Sequence, residues 1–249
     1  MTKSQINKLG QKLRRLAELD RETLEQLQEF RASFDEPMFS AQTQLKELGF
    51  EATSRLKTIN TIIEKLRREK TRLAEMQDIA GLRIVAKANL LEQDRIVSRI
   101  AETFSSTKVI DRRKKPAHGY RAVHVIATID GRLMEIQVRT QLQDLWAQAL
   151  ERLADEAGRE IRYGGPPNRR SEDVKSVLNL SNDIADIEVA FVKLRRMESN
   201  LPQPKRAPVM QRELRLHFAQ LRSLRAYLRQ REQTIRDELE TIMAREGGS

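Results

Sequence analysis

The feature that most constrains this chain is a change of period. Up to about residue 68 the apolar residues recur at three- and four-residue intervals among charges, whereas from Gly81 they alternate. The first spacing lays an apolar stripe along a helix and the second covers one face of a strand, so a chain holding both in separate blocks reads as α+β. Ile6, Leu9, Leu13, Leu16, Leu19, Leu24, Leu27 and Phe30 predict one helix over 4–33, and residues 33–40, around Pro37, read as a break. A second helix follows through Leu45 and Leu48. A third is predicted over 54–68, with Leu56, Ile59, Ile62, Ile63 and Leu66 on one side. Residues 82–86 then read as a strand, 90–104 as a helix and 108–110 as the start of another strand. Residues 122–129 and 133–140 flank Asp130-Gly131, the strongest short hairpin signal.

From Gln141 the helical spacing returns through Leu145, Trp146, Ala149 and Leu153 and stops at Gly164-Gly165-Pro166-Pro167. Two more helices, 172–197 and 209–244, are separated by the proline-rich stretch 201–208. The organisation expected is N-terminal helices over 1–49, a mixed α/β domain over 50–165 and a helical extension over 166–249.

Of 249 residues 46 are Lys or Arg and 36 are Asp or Glu, and the surplus is uneven, +6 within 50–165 and +4 within 201–249. A basic middle suits a polyanion such as nucleotide phosphates or RNA, and equally a solvated arginine-rich surface. No cysteine is present, which removes disulfides, thiolate nucleophiles and Cys-ligated zinc; three scattered histidines make a poor metal set. Any metal should be a hard, oxygen-liganded ion. No apolar run approaches membrane length and the first residues lack a signal peptide's apolar core, so a soluble, cytoplasmic protein without a membrane partner is expected.

On the second hairpin strand, alternation puts Met134, Ile136 and Val138 on one face and Glu135, Gln137 and Arg139 on the other. The polar row could be catalytic or the wet side of an ordinary antiparallel sheet. Before the hairpin, Lys108, Arg112, Arg113, Lys114, Lys115 and Arg121 surround a single acid, Asp111, and lead through His118-Gly119-Tyr120. Cations for phosphates beside a ring that can stack on a base suit a nucleotide; a basic surface loop is the plainer alternative. Asp78, at the edge of the first strand, could bind Mg²⁺, which takes one or two carboxylates together with substrate phosphates, or simply cap a turn. Lys57 and Lys65, eight apart on the predicted third helix, share a face with Arg55 at its edge, a cradle for a triphosphate or an exposed basic face.

Taken together these stretches resemble the synthetase domain of the RelA/SpoT homologue family of alarmone synthetases. The matching pieces are Arg55-Leu56-Lys57 with Lys65, Asp78-Ile79-Ala80-Gly81-Leu82-Arg83, Gly119-Tyr120-Arg121-Ala122-Val123-His124, and Glu135-Ile136-Gln137-Val138-Arg139-Thr140 followed by Trp146. They fall in the family's order and spacing across about residues 50–165. The resemblance implies a nucleotidyltransferase-like mixed sheet, flanked by N- and C-terminal helices, that moves the β,γ-pyrophosphate of ATP onto the ribose 3′-hydroxyl of GDP or GTP. It further implies that Arg55, Lys57, Lys65 and Arg83 hold the ATP phosphates and that Asp78 binds Mg²⁺. Glu135 would complete the metal site or activate the hydroxyl. Tyr120 would stack on the acceptor base, His124 would contact phosphates, and Gln137 and Arg139 would line the same face.

Two departures qualify the match. Many family members carry a lysine four residues before the tyrosine of the Gly-Tyr pair; here that position is Pro116, with lysines at 114 and 115. No His-Asp pair resembles the hydrolase metal site of long, bifunctional members, so a synthetase-only, small-type protein is expected. A toxin branch of the family places pyrophosphate on the 3′ end of tRNA, and Arg112, Arg113, Lys114, Lys115 and the arginine-rich last helix would suit an RNA acceptor. The guanosine-nucleotide reading stands ahead of it, an adenosine acceptor stays open, and a non-catalytic nucleotide- or RNA-binding module ranks last because Asp78 and Glu135 are both present. An antitoxin partner and a homo-oligomer are open as well.

Overall fold

The computed structural model describes residues 1–15, 18, 20–87, 89–201 and 211–245. In chain order it runs α1 (Lys3–Arg15), α2 (Arg21–Ala32), α3 (Asp35–Glu47), β1 (Ala52–Leu56), α4 (Ile59–Arg68), β2 (Ala80–Ala86), α5 (Leu90–Thr103), β3 (Lys108–Asp111), β4 (Val123–Ile129), β5 (Arg132–Thr140), α6 (Gln141–Ala157), α7 (Ser171–Asn200) and α8 (Gln211–Ala244), with short 3₁₀ turns at Leu73–Glu75 and Arg159–Tyr163. The α+β class is borne out. The chain divides into two compact units, one made of residues 1–85, 96–111 and 123–138, the other of 86–95, 112–122 and 139–249.

The first unit holds a mixed five-stranded sheet in the order β1-β2-β5-β4-β3. Its hairpin is built as expected, with Asp130 at φ 47° and Gly131 at φ 77°, the left-handed pair that a two-residue turn demands. In the β4–β5 register His124 faces Gln137 and Ile126 faces Glu135. The other face of the pair carries Val125, Ala127, Met134, Ile136 and Val138, all buried. Leu13, Leu27, Leu45, Ile62, Leu66 and Ile100 are fully buried in the same unit.

Three helix expectations are corrected here. The single helix over 4–33 is two, because Asp20 caps the second by accepting from the Thr23 N–H and so starts a new helix rather than continuing the old one. Leu16 and Leu19 lie outside the described residues. The break placed at 33–40 is confined to Ser33 and Phe34, since Pro37 sits in the first turn of α3, where its missing N–H costs nothing. The helix expected over 54–68 is a strand and a shorter helix: Thr53, Ser54 and Arg55 pair with β2, and the Thr58 side chain caps α4 through the Thr61 N–H. Lys57 therefore lies between elements, not on a helical face shared with Lys65.

The second unit is a helical cluster of α6, α7 and α8 around Trp146, Leu150, Leu153, Val177, Leu180, Ile184, Leu194, Leu228, Ile235 and Leu239. Thr140 and Gln143 form a reciprocal capping box that starts α6 directly off β5. The breaker over 201–208 falls, apart from Leu201, outside the described residues. Among the described residues no helix is long and apolar enough to cross a membrane.

Candidate active site

In the first unit the sequence places a cation between elements and the fold pins it there. The Lys57 N–H donates to the Ile79 carbonyl at 2.8 Å and its own carbonyl accepts from Arg31 Nε at 2.7 Å. That holds the Lys57 Nζ 3.5 Å from Asp78 Oδ2. From the last turn of α4, Lys65 Nζ reaches the same oxygen at 2.7 Å and Glu69 Oε2 at 3.7 Å. The lysines thus converge through one carboxylate, by a route different from the helical face that spacing implied. Asp78 Oδ1 is buried and has no hydrogen-bond partner among the described residues.

Glu135 stands on β5 with two donors on it. His124 Nδ1 donates to Oε1 at 2.8 Å and Gln137 Nε2 donates to Oε2 at 2.7 Å. Burial pushes this carboxyl up, but the His124 hydrogen bond and charge, the Gln137 hydrogen bond and the nearby Lys65 ammonium outweigh it and hold the group at about 2. Lys65 therefore lies against Asp78 and within electrostatic reach of Glu135, which ties the two carboxylates to one cation. Arg55 faces Gly81 and Thr53 faces Arg83 across the β1–β2 ladder, so Arg55 and Arg83 stand on the same face of that pair.

These residues fit a hard divalent cation. An orphaned buried carboxylate oxygen and a second, permanently ionised carboxylate are oxygen ligands of the kind Mg²⁺ takes, and it needs only one or two from the protein. Among the described residues no group of three or more His, Asp or Glu gathers, so the site would hold such an ion only with help from phosphate oxygens or water.

In the second unit Tyr120 and Arg139 are already partners. The Arg139 guanidinium lies 5.1 Å from the Tyr120 ring centroid, and its Nη2 donates to the phenol oxygen at 3.2 Å. Arg139 is buried, and its Nη1 pairs with Asp144 Oδ1 at 2.9 Å. Burial works against the guanidinium charge, and Tyr120 and Asp144 more than restore it. Arg139 thus rests on Tyr120, and one ring face is taken. Gly119, at φ 84°, is required, because a Cβ there would come 2.7 Å from the Trp146 ring.

The basic loop is partly spent on itself. Arg113 pairs with Asp94 at 2.7 Å and donates to Gln93 Oε1 at 3.1 Å. Arg121 donates to the Arg113 carbonyl at 2.8 Å, to the Ser181 carbonyl and hydroxyl at 3.1 and 3.0 Å, and to Asn182 Oδ1 at 2.9 Å. Lys114 and Lys115 are exposed and Arg112 is half-buried. Sequence reasoning missed Asp144, the Arg121 clamp and a buried chain in which Gln93 donates to Gln143, and Gln143 and Thr140 both bond Glu188. Of these only the Thr140-x-x-Gln143 capping spacing was visible.

Residues 54–153 match the model described as the region found in RelA / SpoT proteins. They form a RelA/SpoT domain. This RelA/SpoT domain takes in the site residues from Arg55 to Asp144 and leaves out their partners Arg31, Ser181, Asn182 and Glu188. Uncharacterized proteins of Mycobacterium bovis and of Mycobacterium tuberculosis strain H37Rv are 45% identical over 125 residues, 49% of this chain and 46% of theirs. The chain thus spans less than half the length of those relatives. The small alarmone synthetase 1 from Bacillus subtilis bound to its product pppGpp superposes with a TM-score of 0.53 at 20% identity, over 71% of this chain and 100% of that one. The same enzyme bound to AMPCPP gives 0.51 at 22% identity, over 71% and 100%. Both likenesses are of fold.

Proposed function

We propose that the RelA/SpoT domain is an ATP-dependent pyrophosphokinase acting on GDP or GTP. The acceptor 3′-hydroxyl oxygen bonds to the β-phosphorus of ATP and its proton passes to solvent, the bond from that phosphorus to the α–β bridging oxygen breaks, and AMP leaves with that bridging oxygen. The observation that carries the reading is the convergence of Lys57 and Lys65 on Asp78, with Lys65 also within electrostatic reach of an ionised Glu135. Such a transfer asks little covalent chemistry of a protein and much alignment and charge neutralisation. Lys57 and Lys65 would give up Asp78 for the donor phosphates, joined by Arg55 and Arg83. Mg²⁺, held by Asp78 and Glu135, would supply the remaining neutralisation.

Glu135, held at about 2, is a weak base at working pH. Its part is a fixed negative charge, oriented by His124 and Gln137, that binds and places cationic or hydroxyl partners. Stacking on the acceptor base, the role the resemblance gives Tyr120, would have to use the ring face away from Arg139. A guanosine nucleotide is preferred to tRNA as acceptor because Arg113, one of the four loop cations an RNA would need, is engaged with Asp94 and Gln93. The test supplies γ-labelled ATP with GDP, GTP, AMP-type nucleotides and bulk tRNA in parallel. Label in a guanosine product supports the reading; label in tRNA overturns the acceptor, and label in none of them overturns the activity.

A further inference from the structure

The second unit holds a pocket of about 380 Å³ that the proposed transfer does not use. It is framed by the start of α6, the C-terminal half of α7 and the middle of α8. That volume falls in the range of small-molecule sites, which run from about 300 to about 1,000 Å³. We propose that it binds a small anion bearing two or more phosphates.

The argument is one of charge. Five cations line the pocket, Lys87, Arg195, Arg225, Arg229 and Arg236, against three carboxylates, Glu188, Glu198 and Glu232. Arg225 pairs with Glu198, and Arg236 pairs with Glu232 at 2.8 Å. Glu188 is already engaged: it is buried, accepts from the Thr140 hydroxyl and, at 2.9 Å, from the Gln143 amide. Burial pushes its carboxyl up, which further weakens its claim as a counter-charge. Lys87, Arg195 and Arg229 make no ion pair among the described residues, and the lining as a whole carries more positive than negative side chains. Like charges gathered in this way repel, and a polyphosphate removes that repulsion while accepting several charge-assisted hydrogen bonds.

The rest of the lining is suited to the same ligand. The N-terminal residues of α6, Gln141 and Leu142, face the pocket, and a helix start adds partial positive charge to cations already present. Leu142, Phe191 and Leu194 supply an apolar wall against which a non-phosphate portion could pack. The site also gives an owner to part of the +4 surplus of the C-terminal segment, which lies outside the RelA/SpoT domain.

The test is calorimetric titration of the whole chain with inorganic pyrophosphate, on the parent, on Arg195→Ala/Arg229→Ala and on Lys57→Ala/Lys65→Ala. Both arginines are exposed, so their removal should leave the fold intact, which circular dichroism checks. The expected result is a binding event weakened at least tenfold in the arginine pair and retained in the lysine pair. Arg229→Glu alone should weaken it too, and more than Arg229→Ala. An arginine-pair isotherm superimposable on the parent's overturns the proposal. An unchanged isotherm in the lysine pair counts against phosphate binding at the proposed active site and leaves this pocket standing.

Discussion

Replacing Glu135 by glutamine removes a charge while keeping a shape, and the structure says how that should be felt. Burial pushes the parent carboxyl up, His124, Gln137 and Lys65 bring it down further, and the balance leaves it at about 2 against an ordinary 4.5. A folded-state value below the unfolded one gives stabilisation that is complete above about pH 4.5 and is lost as pH falls through about 2. The difference is worth about 3 kcal/mol at neutral pH, and about half of that is left at about pH 3. An amide does not titrate. Between about pH 5 and about pH 3 the parent should therefore lose about 2 kcal/mol more stability than Glu135→Gln. The single tryptophan, Trp146, reports on the second unit, so the measurement should be amide hydrogen exchange of β4 and β5 in buffer free of divalent metal. Superimposable pH dependences would refute the reasoning, because they would mean a carboxyl no better held in the folded chain than in water. The same variant should lose pyrophosphate transfer by at least about 100-fold with its fold intact, and the parent's pH–rate profile should show no acid limb from Glu135 above about pH 4.

Two further substitutions probe the rest of the site. Lys65→Met removes the ammonium 2.7 Å from Asp78 Oδ2 and leaves only the longer contact from Lys57, so affinity for a non-hydrolysable ATP analogue should fall about tenfold or more, read by equilibrium binding. Gly119→Ala forces a Cβ within 2.7 Å of Trp146 at a φ of +84°, which should cost about 2–3 kcal/mol in denaturant unfolding followed by Trp146 fluorescence; a loss below about 0.5 kcal/mol would show that the loop yields easily.

The hairpin was legible because its turn needs two left-handed residues and Asp-Gly is one of the few pairs that supply them. β1 was not. Its middle residues, Thr53, Ser54 and Arg55, are exposed, so no alternation marks it, and Leu56 and Ile59 happen to continue the helical spacing of α4. Thr58, a good capping residue just before that spacing becomes regular, was the available clue. Within the site, Glu135 and Gln137 are two apart on one strand, a local pattern that sequence displays. Asp144 meets Arg139 only because of the angle at which α6 leaves β5, and Glu188 meets Thr140 only because of how α7 packs; neither leaves a period in the chain.

The Arg121 clamp has a consequence for how this loop can change over evolutionary time. Its guanidinium ties the backbone at Arg113 to α7, and the Ser181 hydroxyl in turn donates to the Gly119 carbonyl, so the stretch is fastened on both sides of its tip. The exposed tip, Lys114, Lys115 and Pro116, lies between these fastenings. Lys115 and Pro116 can therefore drift in charge and size without unfolding the loop, so that new partners can be sampled by mutation while the scaffold that presents them stays under separate selection.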